Sequence, residues 1–554
     1  MEIIIIGCGL AGLSAAVSAA ENHDQVTLVA PYGPERAQSV LAAGGINAAM
    51  NTAGEDDDPL QHAADTIEEG RNLTDEEAVR QMTAAAPSLI RKLADLGVAF
   101  SRDKDGSPAM RYFGGQKKKR TVYAKAGIGK QLVSGLSGVF LRECAEGKIC
   151  FLENRKFLQY LETDGRYAGI IVENILSGEL EYLTSDALII ASGGPGGLFG
   201  RTTGSALNDG SAAASLYVSG MQMANLEMIQ YHPTTIETNA KRMLISEAAR
   251  GEGGRLFTVA DGKRWYFMED WYGPRGNLMP RDVVSQSIYK VCVQMKKGID
   301  GEKKVGLDLT HLKKEVLENR LKEVLDTSRH YLDIDPEKDY IPVYPGIHYF
   351  MGGIYTDRKH RTSVPGIYAA GECACIYHGA NRLGGNSTLG AIYGGITAVK
   401  SADADWTGQE RSTNEEKAQE IIRKLNAKCQ EVSGKQKELP AWIIQDIQIA
   451  MNLHLGILRS PEEMKEGIRV LREISSREVL FRKRHISDAL AALNLQQLGI
   501  AFFESALYRK ESRGAHMRTD YPERDDLHCR MNSVAVFREG RTVISMEEIG
   551  GLFR

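Results

Sequence analysis

The chain begins with a strand, a glycine-rich turn and a helix, and this order constrains the fold more than any other part of the sequence. Residues 3–6 are four isoleucines, residues 7–12 read Gly-Cys-Gly-Leu-Ala-Gly, and residues 13–20 are rich in alanine. A second apolar run at 26–29 completes a β-α-β unit, in which glycines let backbone N–H groups approach a pyrophosphate at the start of the helix. The pattern predicts a Rossmann-like dinucleotide-binding domain. Its second strand nevertheless ends without the acidic residue that binds a ribose hydroxyl in many such domains.

Later segments indicate that the chain leaves this domain and returns to it. Residues 165–190 alternate short apolar runs with turns, as a β-meander does, and residues 366–372 again read as a strand followed by glycine. We therefore predict an α/β fold, α+β overall, in which a Rossmann-like FAD-binding domain carries an inserted capping domain and is followed by a C-terminal helical domain. The predicted parts are 1–225 and 346–404 for the FAD-binding domain, 226–345 for the capping domain, 405–530 for the helical domain and 531–554 for a C-terminal tail.

One helix of the predicted helical domain has a clear start. Ser460-Pro461-Glu462-Glu463 combines an N-cap serine, a proline at the first helical position and a glutamate that closes a capping box. Apolar residues then follow at helical spacing and should face a core, namely Met464, Ile468, Leu471 and Ile474.

Composition and terminal sequence narrow the classes of function. A formal net charge of -4 argues against nucleic acid as the main partner. The chain enters a strand at once, which leaves no room for a signal peptide, and its most apolar long helix candidate, 489–507, is interrupted by polar residues. We expect a cytoplasmic protein without a direct membrane span, which a partner could hold at the inner membrane face.

The eight cysteines are scattered, and none forms a C-x-x-C pair. This spacing predicts neither an iron–sulfur cluster nor a structural zinc site, and we predict no metal site of any kind. If the protein transfers electrons, any iron–sulfur relay should therefore belong to another chain.

Two histidines and three arginines lie in loop-like segments spread over about 150 positions, from residue 231 to residue 382. Both side chains make charge-assisted hydrogen bonds that orient carboxylates, so the set suits a small dianion. The segments are Tyr231-His232-Pro233-Thr234, Ser246-Glu247 with Arg250, Pro280-Arg281-Asp282, His348-Tyr349, and Gly379-Ala380-Asn381-Arg382.

With these segments in place, the sequence resembles the flavoprotein subunit of fumarate reductases and succinate dehydrogenases, and more distantly L-aspartate oxidase. The resemblance runs nearly end to end. It is carried by the glycine turn and the polar segments above, together with Ala42-Ala43-Gly44-Gly45, Phe113-Gly114-Gly115, Ala191-Ser192-Gly193-Gly194, Gly371-Glu372-Cys373, Glu511-Ser512-Arg513-Gly514-Ala515-His516 and Arg524-Asp525-Asp526.

The resemblance implies a role for each polar residue. His348 and Arg382 would hold one carboxylate of fumarate, and His232 and Ser246 the other. Arg281 would donate the proton while hydride arrives from flavin N5, although free arginine is a very weak acid. The remaining predicted catalytic-site residues are a relay formed by Glu247 and Arg250, and Phe113 beside the substrate.

The resemblance also implies FAD and its contacts. Gln38 stands where respiratory members of the family carry the histidine that links FAD covalently, and glutamine has no nucleophilic ring nitrogen. We therefore predict non-covalent FAD and a bias toward alkene reduction. The predicted FAD contacts are Gly7, Gly9, Leu10, Ala11, Gly12, Gln38, Ser39, Ala43, Gly44, Gly45, Ala191, Gly193, Asp209, Glu372, Arg382, Asn386, Ser387 and Leu389.

Three positions bear on the substrate. L-aspartate oxidase places a glutamate where this chain has Phe113, and an apolar ring suits a substrate without an ammonium group. Phe350 and Thr388 differ from the residues usual in the reductases and could reshape the pocket for a larger enoate. We expect fumarate reduction with electrons from an iron–sulfur partner. The open alternatives are an aspartate-oxidase-like flavin oxidase, a reductase of a larger enoate, and a non-catalytic flavoprotein retained as an assembly or binding component.

Overall fold

A computed structural model describes residues 1–22, 25–124, 127–239, 241–430 and 437–551. Its centre is a five-stranded parallel sheet in the order β19-β10-β1-β2-β6, flanked by a three-stranded antiparallel meander, β7-β8-β9. The first part of the FAD-binding domain contains β1 (Glu2–Ile6), α1 (Leu10–Glu21), β2 (Gln25–Ala30), β3 (Ile46–Asn47), α2 (Pro59–Glu69), α3 (Glu76–Asp95), β4 (Met110–Arg111), β5 (Thr121–Val122), α4 (Ile128–Ala145), β6 (Ile149–Glu153), β7 (Arg155–Thr163), β8 (Arg166–Asn174), β9 (Leu180–Leu183), β10 (Ala187–Ile190), α5 (Ser211–Val218) and β11 (Met223–Ala224).

The inserted segment forms a separate layer above this sheet. Its six strands pair in the order β13-β12-β17-β16-β14-β15, and they enclose an apolar cluster of their own. The elements are β12 (Ile229–Glu237), β13 (Arg242–Leu244), α6 (Ala248–Gly251), β14 (Arg255–Ala260), β15 (Lys263–Trp265), α7 (Phe267–Tyr272), α8 (Arg281–Tyr289), a π-helical turn (Lys290–Gln294), β16 (Val305–Asp308), α9 (Lys314–Arg320), α10 (Lys322–Leu332) and β17 (Ile341–Phe350).

The chain then returns to the first sheet, as the glycine pattern predicts. β19 pairs in parallel with β10, and the following glycine turn leads to a long helix that packs on α1. The elements of this part are β18 (Gly353–Tyr355), β19 (Ile367–Ala369), β20 (Ala374–Cys375) and α11 (Asn386–Asp405).

The C-terminal part is helical up to residue 508 and ends in a hairpin. The predicted cap at Ser460 is confirmed, because its side chain accepts a hydrogen bond from the Glu463 N–H, and the four predicted core residues that follow it are buried. The elements are α12 (Glu415–Lys428), α13 (Pro440–His454), β21 (Leu458–Arg459), α14 (Pro461–Ser475), α15 (Ile486–Tyr508), β22 (Met517–Arg518), β23 (Asn532–Arg538) and β24 (Arg541–Glu547).

Two predicted boundaries differ from the observed elements. The segment 531–554, expected to be a tail, contains the β23–β24 hairpin, and β23 pairs with β11 of the FAD-binding domain. The predicted boundary at 345 cuts β17, because this strand continues to Phe350, and its residues Ile347 and Phe350 pack in the largest apolar cluster rather than in that of the capping domain. Both differences arise from long-range strand pairing, which local sequence patterns do not specify.

One helix among the described residues, α15, is long and apolar enough to cross a membrane by length and composition. However, 72% of its most apolar window is buried inside the protein. It packs against α5, α13 and α14 and contributes much of the largest apolar cluster. Its hydrophobicity is therefore accounted for by its place in the core.

Candidate active site

A single long cavity joins the glycine turn after β1 to the underside of the capping sheet. Its volume is about 670 Å³, which suits a large extended ligand together with a small one. All predicted site residues line this cavity except Gly12, Arg250, Asn386 and Leu389. The fold thus brings segments from residue 7 to residue 388 to one surface.

The glycine turn forms one end of the cavity. Gly7 has a φ of +104°, and a Cβ there would lie 2.4 Å from the Ala191 carbonyl oxygen, so this position requires glycine. The first turn of α1 is held by Ser39, whose hydroxyl accepts a hydrogen bond from the Leu10 N–H at 3.0 Å. The helix therefore presents its N-terminus to the cavity, as an anionic pyrophosphate requires.

The rest of this half also fits FAD. A Cβ on Gly44 would lie 2.7 Å from the Phe113 ring, so glycine is needed for this ring to pack on the backbone of the cavity wall. Glu372 is half-buried on the cavity wall, and desolvation raises its pKa to about 7 although it accepts a hydrogen bond from the Phe350 N–H. At the far end of the cavity, Asp209 forms a 2.7 Å ion pair with Lys156. A glycine-lined groove with polar groups at intervals matches the alternating apolar and polar parts of a dinucleotide.

Gly12, Asn386 and Leu389 lie beneath the cavity lining, and their contact with FAD stays a prediction. A Cβ on Gly12 would lie 1.8 Å from the Gly7 carbonyl oxygen, so this glycine lets α1 pack on the turn. Asn386 is fully buried and accepts hydrogen bonds from Asn47 and pairs with His62, which fixes the start of α11. Leu389 belongs to the apolar core between α11 and the sheet.

The substrate half is built from β12, β17 and the loop before α11. The rings of His232 and His348 lie 5.2 Å apart in an edge-to-face arrangement, and the Thr203 hydroxyl is 2.7 Å from His348 Nδ1. Arg382 stacks over Tyr349, with its Cζ 4.2 Å from the ring centre. Among the described residues, His232 Nε2 and Arg382 Nε have no hydrogen-bond partner although both are buried. Such atoms are expected to meet a ligand.

Burial and neighbouring arginines set the charge of these groups. Burial, and next the positive charge of Arg281, hold the pKa of both His232 and His348 well below the usual value. The same two causes lower the pKa of Arg382 to about 9, which still leaves it charged at neutral pH. The histidines are therefore neutral hydrogen-bonding groups, and the arginines carry the charge.

Arg281 is held in a buried ion-pair network at the first turn of α8. Its Nε and Nη2 donate to Glu247 Oε2 at 3.0 and 2.7 Å, and its Nη1 donates to Gln230 Oε1 at 3.0 Å. Arg250 lies behind Glu247, not on the cavity, and donates to Glu247 Oε1 at 2.6 Å. Burial alone would raise the pKa of Glu247, but Arg281 and Arg250 outweigh it and lower the pKa to about 2.

The resulting net charge matches a dicarboxylate. Within the buried network around Glu247, the three arginines Arg250, Arg281 and Arg382 are opposed by this one ionised carboxylate, which leaves two positive charges among these four side chains. Ser246 lies on the cavity next to this network, and its hydroxyl accepts a long hydrogen bond of 3.3 Å from the Ala248 N–H. A dianion with two carboxylates would neutralise the site.

Of Phe350 and Thr388, the two residues that could reshape the substrate pocket, only Thr388 lies on the cavity. Phe350 points away from the cavity and packs against Phe199 and Phe502, so the prediction that it shapes the substrate pocket is wrong. His348 and Tyr349 both face the site because the pairing of β17 with β12 shifts register between them, from Gln230–Tyr349 to Tyr231–Ile347. Thr388 does line the cavity, and its hydroxyl donates to the Gly45 carbonyl oxygen at 3.1 Å.

Two residues of the site are missing from the predicted set. Gln230 connects Arg281 to Asn381 and to the Arg382 carbonyl oxygen, and Thr203 orients His348. Gln230 directly precedes the Tyr-His-Pro-Thr segment, and an amide side chain within an apolar strand is a sequence signal that could have indicated a site residue. Nothing near Thr203 in the sequence indicates its contact, which spans 145 residues.

Comparisons with known proteins agree with this geometry. The family model described as FAD binding domain matches residues 2–388, and the model described as fumarate reductase flavoprotein C-term matches residues 444–549. The succinate dehydrogenase flavoprotein subunit of Bacillus subtilis is 38% identical over 541 residues, covering 95% of this chain and 92% of that protein. The fumarate reductase flavoprotein subunit of Mycobacterium tuberculosis is 34% identical over 555 residues, covering 95% of this chain and 93% of that protein.

A solved structure gives the same result for the fold. Quinol fumarate reductase of E. coli superposes with a TM-score of 0.89 at 30% identity, covering 99% of this chain and 97% of that chain. The matches extend through the FAD-binding, capping and C-terminal parts. The chain therefore belongs to the family of succinate dehydrogenase and fumarate reductase flavoprotein subunits, and it is an FAD-dependent oxidoreductase.

Proposed function

We propose that the protein reduces an unsaturated dicarboxylate and that its substrate is fumarate, which it converts to succinate. The observation that carries this proposal is the buried Arg281–Glu247 pair on a cavity that is also lined by His232, His348 and Arg382. A proton donor, two carboxylate-binding groups and a dinucleotide groove all meet there. Family members interconvert an alkene and an alkane dicarboxylate, and the net charge of the site suits such a substrate.

In this proposal the two carboxylates bind to opposite pairs of residues. His348 and Arg382 hold one, and His232 and Ser246 hold the other. The unpartnered His232 Nε2 and Arg382 Nε would gain their hydrogen bonds from the substrate. Because charge-assisted bonds to a buried carboxylate are worth about 1.5–3 kcal/mol each, monoanionic enoates should bind far more weakly.

The reduction adds one hydride and one proton across the double bond. FAD, when bound in the groove, would supply the hydride for one alkene carbon. Arg281 donates a proton to the other carbon from the opposite side, so that the former double-bond electron pair forms the new C–H bond. His348 and Arg382 stabilise the negative charge that develops on the adjoining carboxylate. The ionised Glu247, which contacts both Arg281 and Arg250, then takes up a proton from Arg250 and passes it to Arg281, and Arg250 regains its proton from solvent.

The proposal includes a dissociable FAD and a bias toward reduction. Gln38 lines the cavity, and its side-chain oxygen accepts a hydrogen bond from the Ser205 N–H. This amide offers no nucleophilic nitrogen for a covalent link. Within the family the covalent bond supports succinate oxidation, so its loss favours the opposite direction.

We also propose an iron–sulfur partner protein as the electron donor. Among the described residues, no group of three His, Cys, Asp or Glu side chains could hold a metal ion. Similar proteins are named as subunits, and one matched structure is a quinol fumarate reductase. A partner of this kind would also place the protein at the cytoplasmic face of the inner membrane.

The test is anaerobic. The flavin is reduced chemically, fumarate is added, and the return of oxidised-flavin absorbance is followed with analysis for succinate. Rapid reoxidation is expected in the wild type and in Arg275→Lys, an exposed control on the loop before α8. Arg281→Lys should lose the reaction, because a shorter ammonium cannot keep the two-pronged contact with Glu247.

Other outcomes would redirect the proposal. A flavin that stays reduced with fumarate but is reoxidised by a bulkier enoate would assign a larger substrate. Hydrogen peroxide formed from aspartate would support an oxidase instead, but the buried apolar Phe113 at the cavity offers no partner for an ammonium group.

A further inference from the structure

Glu69, the last residue of α2, is a buried acid close to the proposed proton donor that the mechanism does not use. It is 3% exposed, and its Oε1 accepts a hydrogen bond from Asn381 Nδ2 at 2.6 Å. Within the part of the chain that the structure describes, no lysine, arginine or histidine forms an ion pair with it. A buried carboxylate without a cation is costly, so this position is unusual for a purely structural acid.

The Gly114-Gly115 pair separates Glu69 from Glu247. A Cβ on Gly114 would lie 2.7 Å from Glu247 Oε1, and a Cβ on Gly115 would lie 2.6 Å from Glu69 Oε2. The carboxyl groups of Glu247 and Glu69 therefore pack against the backbone of Gly114 and Gly115, respectively. This contact explains why two consecutive glycines follow Phe113, and it places Glu69 immediately behind the catalytic network.

A directed hydrogen-bond chain connects Glu69 to Arg281. Asn381 Nδ2 donates to Glu69 and, at 3.1 Å, to Asp282, so its oxygen must face the other way and accept from Gln230 Nε2. Gln230 then presents its own oxygen to Arg281 Nη1. The two carboxyl groups at one end thus fix the orientation of both amides and deliver an acceptor to the guanidinium at the other end.

The charges that face Glu69 come from three other segments. These are Arg71 in the loop after α2, Asp282 and Arg281 on α8, and Glu247 at the start of α6. Burial, and next the charge of Asp282, raise the pKa of Glu69 well above the usual value, and the two arginines only partly offset this. Glu247 is ionised while Glu69 is held neutral, which is the pattern by which neighbouring carboxyls take different roles.

We propose that Glu69 is a positioning residue, which orients the Asn381–Gln230 chain and tunes, through its own charge, the acidity of the Arg281 guanidinium. This inference rests on the proposed function, in which Arg281 is the proton donor. Ionised Glu69 would add a negative charge behind Arg281, stabilise the guanidinium and make it a poorer acid. It would also cancel part of the positive charge that attracts the dianion. The rate should therefore fall as rising pH ionises Glu69.

The experiment compares pH profiles of fumarate-dependent flavin reoxidation, measured anaerobically by stopped flow between pH 6 and 8.5, a range in which Arg382 stays charged. The variants are Glu69→Gln, which is isosteric but cannot ionise, and Glu69→Asp, which can. Glu68→Gln is the matched control, because its neighbouring side chain is 65% exposed and pairs with Lys117 on the surface.

Wild type, Glu69→Asp and Glu68→Gln should lose about tenfold in rate per pH unit on the alkaline limb. Glu69→Gln should match the wild type within about threefold at pH 6, because its amide oxygen still accepts from Asn381, and stay level where the others fall. Over this range, an alkaline limb in Glu69→Gln equal to that of the wild type would overturn the inference, as would a wild-type profile that is flat from pH 6 to 8.5. A purely structural role would instead harm Glu69→Asp more than Glu69→Gln at every pH.

Failure of this inference can be distinguished from failure of the proposed function. If wild-type enzyme is not reoxidised by fumarate at any pH, the proposed function fails first. A readout without turnover is the pH dependence of thermal unfolding. Because the folded-state pKa of Glu69 lies above its unfolded value, stability falls as pH rises above about 4.5 through the folded pKa. Glu69→Gln should lose less stability than the wild type over this interval, and an equal loss would contradict the neutral assignment.

Discussion

Replacing Glu247 by glutamine should destabilise the capping domain by an amount that follows from its buried ion pairs. The side chain is 2% exposed and accepts hydrogen bonds from both Arg281 and Arg250. Lowering its pKa from 4.5 to about 2 corresponds to about 3 kcal/mol at neutral pH, since each pKa unit is worth about 1.4 kcal/mol. Breaking a buried pair by removing one partner costs a similar amount, about 3–5 kcal/mol. Glu247→Gln should therefore lose about 3 kcal/mol of unfolding free energy.

The pH dependence of this loss has a definite sign. Because the folded-state pKa of Glu247 is depressed, its stabilisation is present above pH 4.5 and is lost as pH falls toward 2. The difference between wild type and Glu247→Gln should be constant from pH 6 to 8 and shrink below pH 4.5. Urea unfolding followed by tryptophan fluorescence reports on this region, since Trp265 and Trp271 lie in the capping domain.

A surface acid on the same capping sheet provides the control. Glu237 is 55% exposed and pairs with the exposed Arg201, so Glu237→Gln should cost less than about 1 kcal/mol. If Glu247→Gln is no less stable than Glu237→Gln at pH 7, the two buried arginines are not held by this carboxylate as described. A difference that grows at low pH would refute the charge assignment of Glu247 itself.

Three further outcomes are expected. Gly115→Ala places a Cβ 2.6 Å from Glu69 at a φ of +81°, so fumarate-dependent reoxidation should slow by at least about tenfold while bound FAD is retained, as stopped flow and flavin absorbance can show. Phe350→Ala should cost about 3–5 kcal/mol of stability by opening a cavity beside Phe199 and Phe502, yet leave the order of preference among enoates unchanged in a substrate panel. Acid precipitation should release all flavin from the wild type, and Gln38→Ala should weaken FAD binding about five- to tenfold in titrations, because the Ser205 N–H loses its acceptor.

Local patterns were sufficient for much of the fold. The glycine turn, the meander, the return at residue 366 and the cap at Ser460 are each determined by residues close together in sequence, and each is present in the structure. The β23–β24 hairpin was missed because its strand character becomes evident only through pairing with β11, about 310 residues away. Phe350 was misassigned for a related reason. Which side of β17 faces the cavity depends on the register of the whole strand against β12, and that register shifts twice.

The same distinction applies to the site. The family resemblance could predict Arg281, Glu247 and Arg382 as site residues, because each belongs to a motif that matches the family. It could not supply the direction in which buried amides point, because Asn381 is oriented by an acid 312 residues away in the chain. In a buried network each acceptor fixes which end of the next amide donates a hydrogen bond. The carboxyl group at the end of α2 therefore sets the direction of every hydrogen bond as far as Arg281. The chemistry of the guanidinium is therefore set partly by a residue that touches neither FAD nor substrate, and only the assembled structure identifies it.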